Sequence, residues 1–267
     1  MAGEREYVLQ LLGGDMEIEP PKFHVSVVLL YYLAQLWKRP LRTPHCYGAS
    51  DSDRRKFENT QKDSFFQDMG IDPYILRNKT VLDFGCGWGG KAIYYNRFAP
   101  KLMFGYDPQL PKNEMVDGVV LLKEKPDYKF DIVLCEDVLE HAQMPDAFFE
   151  IDRLLKNGGL LIVKFPSIRS IVAHHFDRAI NIPAIHYVWK FKTLASGLNW
   201  LREKRGLPFA PFDAVENGRT KNLNGMDLHH FRQLARLFFS ELKLECLPYW
   251  HFRGEVLSKT IIYVGMK

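Results

Sequence analysis

One decapeptide constrains the fold of this chain more than any other feature. Residues 81–90 read VLDFGCGWGG, a short apolar run that ends abruptly in glycines. Gly85, Gly87 and Gly90 fit the pattern GxGxxG between a strand-like segment (TVLDF, 80–84) and a stretch of helical character (91–98). Glycines at such a junction let backbone approach a ligand closely at the carboxyl edge of a sheet. The pattern alone does not choose the ligand. Asp107 closes the next apolar run, LMFGY at 102–106, and lies 20 residues after Gly87. A carboxylate there can accept both hydroxyls of a ribose, in NAD or in any adenosine cofactor. Asp83 stands inside the first strand, ahead of the first glycine. A carboxylate in that position suits a ligand with a cationic end better than a pyrophosphate.

The same rhythm continues downstream. GVVLL (118–122), FDIVL (130–134) and LLIVKF (160–165) read as buried strands, and 146–155 as a helix. Short buried strands alternating with helices predict a parallel sheet covered on both faces. Residues 167–225 interrupt the pattern with an aromatic-rich stretch that contains no clean strand. Leu228, Phe231, Leu234 and Phe238 then recur at helical spacing, and 242–247 and 260–264 read as two further strands. The expected organisation is an N-terminal helical extension over 1–75 and an α/β domain over 76–267, with a helical insertion at about 167–225 after the fifth strand.

Composition narrows the class. Hydrophobic residues at 46% and charged residues at 25% exclude a disordered or fibrous chain. A net charge of +4 does not demand nucleic acid. Cys46, Cys86, Cys135 and Cys246 form no CxxC pair, and the first residues are too acidic for a secretory signal, so the expectation is reduced thiols and a cytoplasmic protein. FHVSVVLLYYLAQLW at 23–37 is shorter than the ~20 residues of a membrane span and is stopped by Lys38, Arg39 and Pro40. Two readings stay open: a helix packed at the edge of the core, or an interfacial helix with KRPLR at lipid headgroups and peripheral membrane contact.

Taken together, VLDFGCGWGG, GYDP (105–108), FDIVLCEDVLEH (130–141) and LLKNGGLLIVKFP (154–166) resemble four successive motifs of the class I S-adenosylmethionine-dependent methyltransferases. The resemblance covers about 76–166 well and 226–267 loosely. It implies a Rossmann-like seven-stranded sheet whose last strand is antiparallel, and S-adenosyl-L-methionine as cofactor. It further implies that Asp83, Gly85, Cys86 and Gly87 line the methionine end, that Asp107 holds the ribose, and that backbone at Cys135 and Glu136 closes the other side. The family's acidic residue near the adenine has no clear counterpart in LLKEKPDYKF, where Glu124 is the nearest substitute.

The acceptor side is less legible. Asp137, Glu140 and His141 fall at i, i+3 and i+4, on one face of a helix if one starts after the fourth strand. Three readings follow: helix capping with a hydrogen-bonded histidine, His141 as base or orienter, or a Mg²⁺ site, since some relatives with E-x-x-E-H here bind a divalent ion, although Asp137 replaces the first Glu in this chain. His186, in the apolar INIPAIHYVW, is a second catalytic candidate facing the acceptor pocket, whereas His229 and His230 read as structural. Asp72-Pro73-Tyr74 only faintly resembles the DPPY of DNA amino-methylases and no Pro-Cys pair exists, so no nucleic-acid partner is expected. Lys190, Lys192, Arg202, Lys204 and Arg205 are interleaved with Trp189, Phe191 and Trp200 in the insertion. This suits an amphipathic lid, a headgroup-facing helix or an acidic acceptor. The function read from the whole is methyl transfer to a small-molecule or glycan acceptor, at oxygen. The alternatives are a non-catalytic scaffold that keeps the cofactor fold and a NAD-type Rossmann protein.

Overall fold

The computed structural model describes residues 23–37, 65–170, 226–248 and 258–267, with short pieces between 185 and 220 and at 254–255. Apolar residues that alternate sides generate its sheet. In β1 (Thr80–Phe84) every residue is buried; Val81 faces one core and Leu82 the other. The same alternation runs through β5 (Phe130–Glu136), where Ile132 and Leu134 oppose Val133 and Cys135. β2 (Leu102–Tyr106), β3 (Glu114–Val116), β4 (Val119–Leu122), β6 (Leu155–Phe165), β9 (Ser240–Pro248) and β10 (Ser258–Met266) complete the order β3-β4-β2-β1-β5-β6-β10-β9. A separate two-residue ribbon joins β7 (Val215–Glu216) to β8 (Arg219–Thr220).

β4, β2, β1, β5 and β6 are parallel, and β10 runs antiparallel to both β6 and β9, as a Rossmann-like sheet with an antiparallel last strand requires. The sheet has eight strands rather than seven. The additional one, β3, doubles back on β4 through Asp117 and Gly118, both at positive φ. On one face lie α2 (Phe65–Met69) and α3 (Gly90–Tyr95). On the other lie α4 (Asp146–Leu154) and α6 (Leu228–Phe238), where Phe231 meets Phe148, Phe165 and Tyr263. Connections leaving β1 lead first to β2 and β4 on one side and then to β5 and β6 on the other. The chain therefore reverses direction across the sheet between β1 and β5, and this crevice at the carboxyl edge is where open α/β sheets bind ligands.

α1 (Val25–Trp37) packs on the insertion: Val27 is buried against Gly197, and the rings of Phe23 and Trp200 lie 4.9 Å apart. Val25, Leu29 and Leu33, at i, i+4 and i+8, are each more than half exposed. No described helix is long and apolar enough to cross a membrane. The rest of the N-terminal extension and most of the insertion lie outside the described residues.

The far edge of the sheet is tied by one carboxylate. Asp131 accepts from Thr80 N and Oγ1 at 2.8 and 2.7 Å and pairs with Lys156 at 2.9 Å. Partial burial disfavours its charge, but the Thr80 bonds and Lys156 outweigh that and hold it at about 2. An aspartate titrates near 3.9 when unfolded, so this stabilisation is complete above that pH and is lost as pH falls through about 2. Asp131→Asn should cost about 1–2 kcal/mol near neutrality, after allowance for solvent screening. It should also flatten the acid limb of a urea-melt stability curve below pH 4; an unchanged limb would remove Asp131 from that role.

Candidate active site

The glycine loop leaves β1 in a conformation that only glycine holds cheaply. Gly85, Gly87 and Gly89 have φ of 78°, 58° and 86°. Gly85 N and Cys86 N both donate to Tyr106 O, at 2.7 and 3.0 Å, which folds the loop over the end of β2. A Cβ on Gly85 would lie 2.4 Å from Val138 Cγ2, so the loop after β5 leans directly on this glycine. A Cβ on Gly89 would meet Leu121 Cδ2 at 2.6 Å, which seats the start of α3 on β4.

Asp107 stands one residue beyond β2 with both oxygens anchored. Oδ2 accepts from Gly87 N at 2.9 Å and Oδ1 from Gln109 N at 2.8 Å. Desolvation raises its pKa in spite of these bonds. Each oxygen keeps further acceptor capacity, so a half-buried, oriented carboxylate faces the crevice beside the glycine loop. Glu124 is exposed just past the carboxyl end of β4.

Opposite, the ladder between β5 and β1 stops at Leu134, while Cys135 and Glu136 continue to pair with Val163 and Lys164 of β6. The last two residues of β5 thus run past the end of β1, where the glycine loop turns away. Cys135 is buried, and desolvation followed by the charges of Glu140, Asp83, Asp137 and Glu136 pushes its thiol well up. Four carboxyl groups thus surround Cys135. The side chain of Glu136 is drawn into an ion-pair network, 2.7 Å from Lys91 and 3.5 Å from the buried Lys164, which in turn pairs with Asp68 of α2 at 2.8 Å. Sequence reasoning missed this network, although a lysine inside the apolar run LLIVKF is a signal of a buried, partnered charge.

The helical face expected at Asp137, Glu140 and His141 is absent. Asp137 has φ 54°, in the left-handed region, and turns occupy the segment until α4 begins at Asp146. β5 overruns to Glu136, and the chain must then turn sharply to bring Val138 back against Gly85. Among the described residues no group of three His, Cys, Asp or Glu is arranged to hold a metal ion, which corrects the Mg²⁺ expectation for this trio. Glu140 is buried; desolvation first and the charge of Asp137 second push its pKa well above the carboxylate range. His141 Nε2 lies 3.7 Å from Glu140 Oε1, beyond hydrogen-bonding reach. His186 falls on α5 (Ile185–Val188), and its side chain lies outside the described residues, as do those of Lys190, Lys192, Arg202 and Arg205.

The crevice has Asp107 at one end and the carboxyl groups around Cys135 at the other. Comparison with known proteins assigns a family. The profile of the methyltransferase domain matches residues 54–236, more than half of the chain. The chain belongs to this family. A tRNA U34 carboxymethyltransferase of Campylobacter fetus is 25% identical over 195 residues, covering 63% of this chain and 67% of that protein. An uncharacterised protein of Methanocaldococcus jannaschii is 38% identical over 115 residues, 39% of this chain and 50% of its own length. Among solved structures, a methyltransferase of Thermotoga maritima aligns at a TM-score of 0.49 with 18% identity, over 81% of this chain and 94% of that one. The protein is thus a methyltransferase. The methyltransferase carries its glycine loop, Asp107 and the Cys135–Glu136 wall at the ends of three adjacent strands, β1, β2 and β5.

Proposed function

We propose that this methyltransferase uses S-adenosyl-L-methionine and acts at a hydroxyl of a small-molecule or glycan acceptor, with the cofactor lying across the ends of β2, β1 and β5. In this reading Asp107 binds the ribose, the loop Gly85-Cys86-Gly87 passes under the methionine end, and Asp83 faces its cationic groups. Backbone at Cys135 and Glu136 closes the far wall, and His141 borders the acceptor side. The cofactor supplies a methyl group already activated on a sulfonium, so the chain's task is to position the acceptor, exclude water and receive a proton. Holding the reactants in line can contribute about 7–11 kcal/mol.

The observation that carries the small-acceptor reading is the way α1 and the insertion pack on each other. Val27 against Gly197, Phe23 against Trp200 and the buried Ile185, Leu194 and Leu201 give α1 and the insertion apolar packing of their own. In this reading that unit covers the crevice and encloses the acceptor. The exposed row Val25, Leu29 and Leu33, followed in sequence by Lys38 and Arg39, supports peripheral contact with an anionic membrane and hence a lipid-linked glycan.

The Campylobacter relative motivates a second reading, a tRNA acceptor. A panel assay separates these readings. Labelled methyl transfer from S-adenosyl-L-methionine is measured into phenols, hydroxy acids, free sugars, glycolipid in anionic vesicles, and total tRNA. Transfer to a hydroxyl compound or glycolipid is expected. Labelling confined to tRNA would overturn the proposal.

A further inference from the structure

Four charged side chains at the carboxyl edge of the sheet are joined in a row that methyl transfer itself does not use. Ile132, Leu134 and Glu136 of β5 and Ile162 and Lys164 of β6 alternate onto one face, the face that carries α2 and α3. Glu136 and Lys164 are register partners, so an acid and a lysine continue the two apolar rows where the strands end. Lys164 is buried; its Nζ lies 2.8 Å from Asp68 Oδ2 of α2 and 3.5 Å from Glu136 Oε1. The other oxygen of Glu136 lies 2.7 Å from Lys91 Nζ and accepts from Tyr95 Oη at 3.2 Å. Lys91 and Tyr95 stand one turn apart on α3, which begins directly after the glycine loop.

The row runs from α2 through β6 and β5 to α3, and its last link joins the two walls of the crevice. Glu136 belongs to the part of β5 that overruns β1, and Lys91 to the helix that the loop from β1 leads into. Burial opposes the charge of Lys91, but Glu136 first, then Asp137 and Asp83, outweigh burial and raise its pKa. The ammonium therefore stands beside the ends of both β1 and β5. Two lysines against two carboxylates leave the row neutral, and removal of one charge unbalances the others. α2 has anchors of its own: Phe65, Phe66 and Met69 are buried, the Phe66 ring meets Tyr95 edge-on, and Lys243 of β9 donates to Met69 O at 2.6 Å. With Asp68 neutral, Lys164 would turn to Glu136 alone and draw its carboxylate away from Lys91.

We propose that Lys164 is a positioning residue, through which docking of α2 sets the separation of the glycine loop from the β5 wall and so the affinity for cofactor. The inference rests on the cofactor reading above. Neither Lys164 nor Asp68 needs to touch the cofactor. They act by fixing Glu136, and Glu136 acts by fixing Lys91 and α3. By linkage, cofactor binding must tighten the hold on α2 to the same extent.

Calorimetric titration of S-adenosylhomocysteine into the full chain tests this through a double-mutant cycle. Lys164→Met would bury two carboxylates without their lysine and endanger folding, so the decisive variants are Asp68→Asn and Lys91→Met, whose side chains are partly exposed. Each should weaken binding about five- to tenfold. The double variant should lose no more than the weaker-binding single one, because either change already breaks the row, whereas losses at independent sites multiply. Hydrogen exchange at the α2 amides should slow on addition of S-adenosylhomocysteine in the parent and not in Asp68→Asn. Glu241→Gln breaks the ion pair between β9 and Arg232 of α6 on the opposite face and controls for general destabilisation; its affinity should stay within about twofold of the parent. Asp68→Asn affinity within about twofold of the parent would overturn the proposal, as would multiplying losses or an equal loss in Glu241→Gln. No binding by the parent chain would overturn it together with the cofactor reading on which it stands.

Discussion

Asp107→Ala is expected to weaken S-adenosylhomocysteine binding by roughly 1.5–3 kcal/mol, about ten- to 150-fold in dissociation constant. Two losses combine. Charge-assisted bonds to the ribose hydroxyls disappear, and the N–H groups of Gly87 and Gln109 lose the acceptors that hold the loop against β2. Asp107→Asn sharpens the prediction. Both carboxylate oxygens already accept from backbone N–H groups, so the asparagine NH₂ must face a donor whichever way the amide turns. The near-isosteric change should therefore cost about as much as alanine. Calorimetric titration of the two variants checks this, and parent-like affinity for Asp107→Asn would show that the carboxylate is not the ribose acceptor.

Gly85→Ala should damage stability and binding together. The residue sits at φ 78°, where an L side chain costs about 1–2 kcal/mol. Its Cβ would press to 2.4 and 2.7 Å from the two methyl carbons of Val138, a stiff β-branched side chain that cannot fold away. Overpacking of that kind adds about 1–3 kcal/mol and pushes the loop after β5 away from the crevice. A total loss of roughly 2–5 kcal/mol in urea unfolding is expected, with cofactor affinity down more than about tenfold. The double variant Gly85→Ala, Val138→Ala removes the clash but not the backbone strain, so it should recover the overpacking share alone. No recovery would mean that the loop after β5 does not lean on the glycine.

Much of the scaffold could be read before any coordinates because its signals are local. β1, β5 and the second half of β6 are runs of mostly buried β-branched, aliphatic and aromatic residues, and α6 shows its buried face at Phe231 and Leu234. β3 escaped notice because an edge strand of three residues buries little; Met115 is 72% exposed. The stretch Asp137–Glu140–His141 has helical spacing, but packing of Val138 on Gly85 overrides local preference, and Asp137 takes a left-handed turn instead. The meeting of the α6 cap Asp227 with Arg169, 58 positions earlier, was not legible, because tertiary contacts of this range leave no periodic trace.

A crystal structure of the full chain with S-adenosylhomocysteine tests the central claim most directly. The account predicts both ribose hydroxyls within hydrogen-bonding distance of Asp107, the thioether beside the Gly85–Gly87 loop, and the amino group toward Asp83 in the crevice between β1 and β5. A ribose bound away from Asp107, or a cofactor lying outside that crevice, would contradict it.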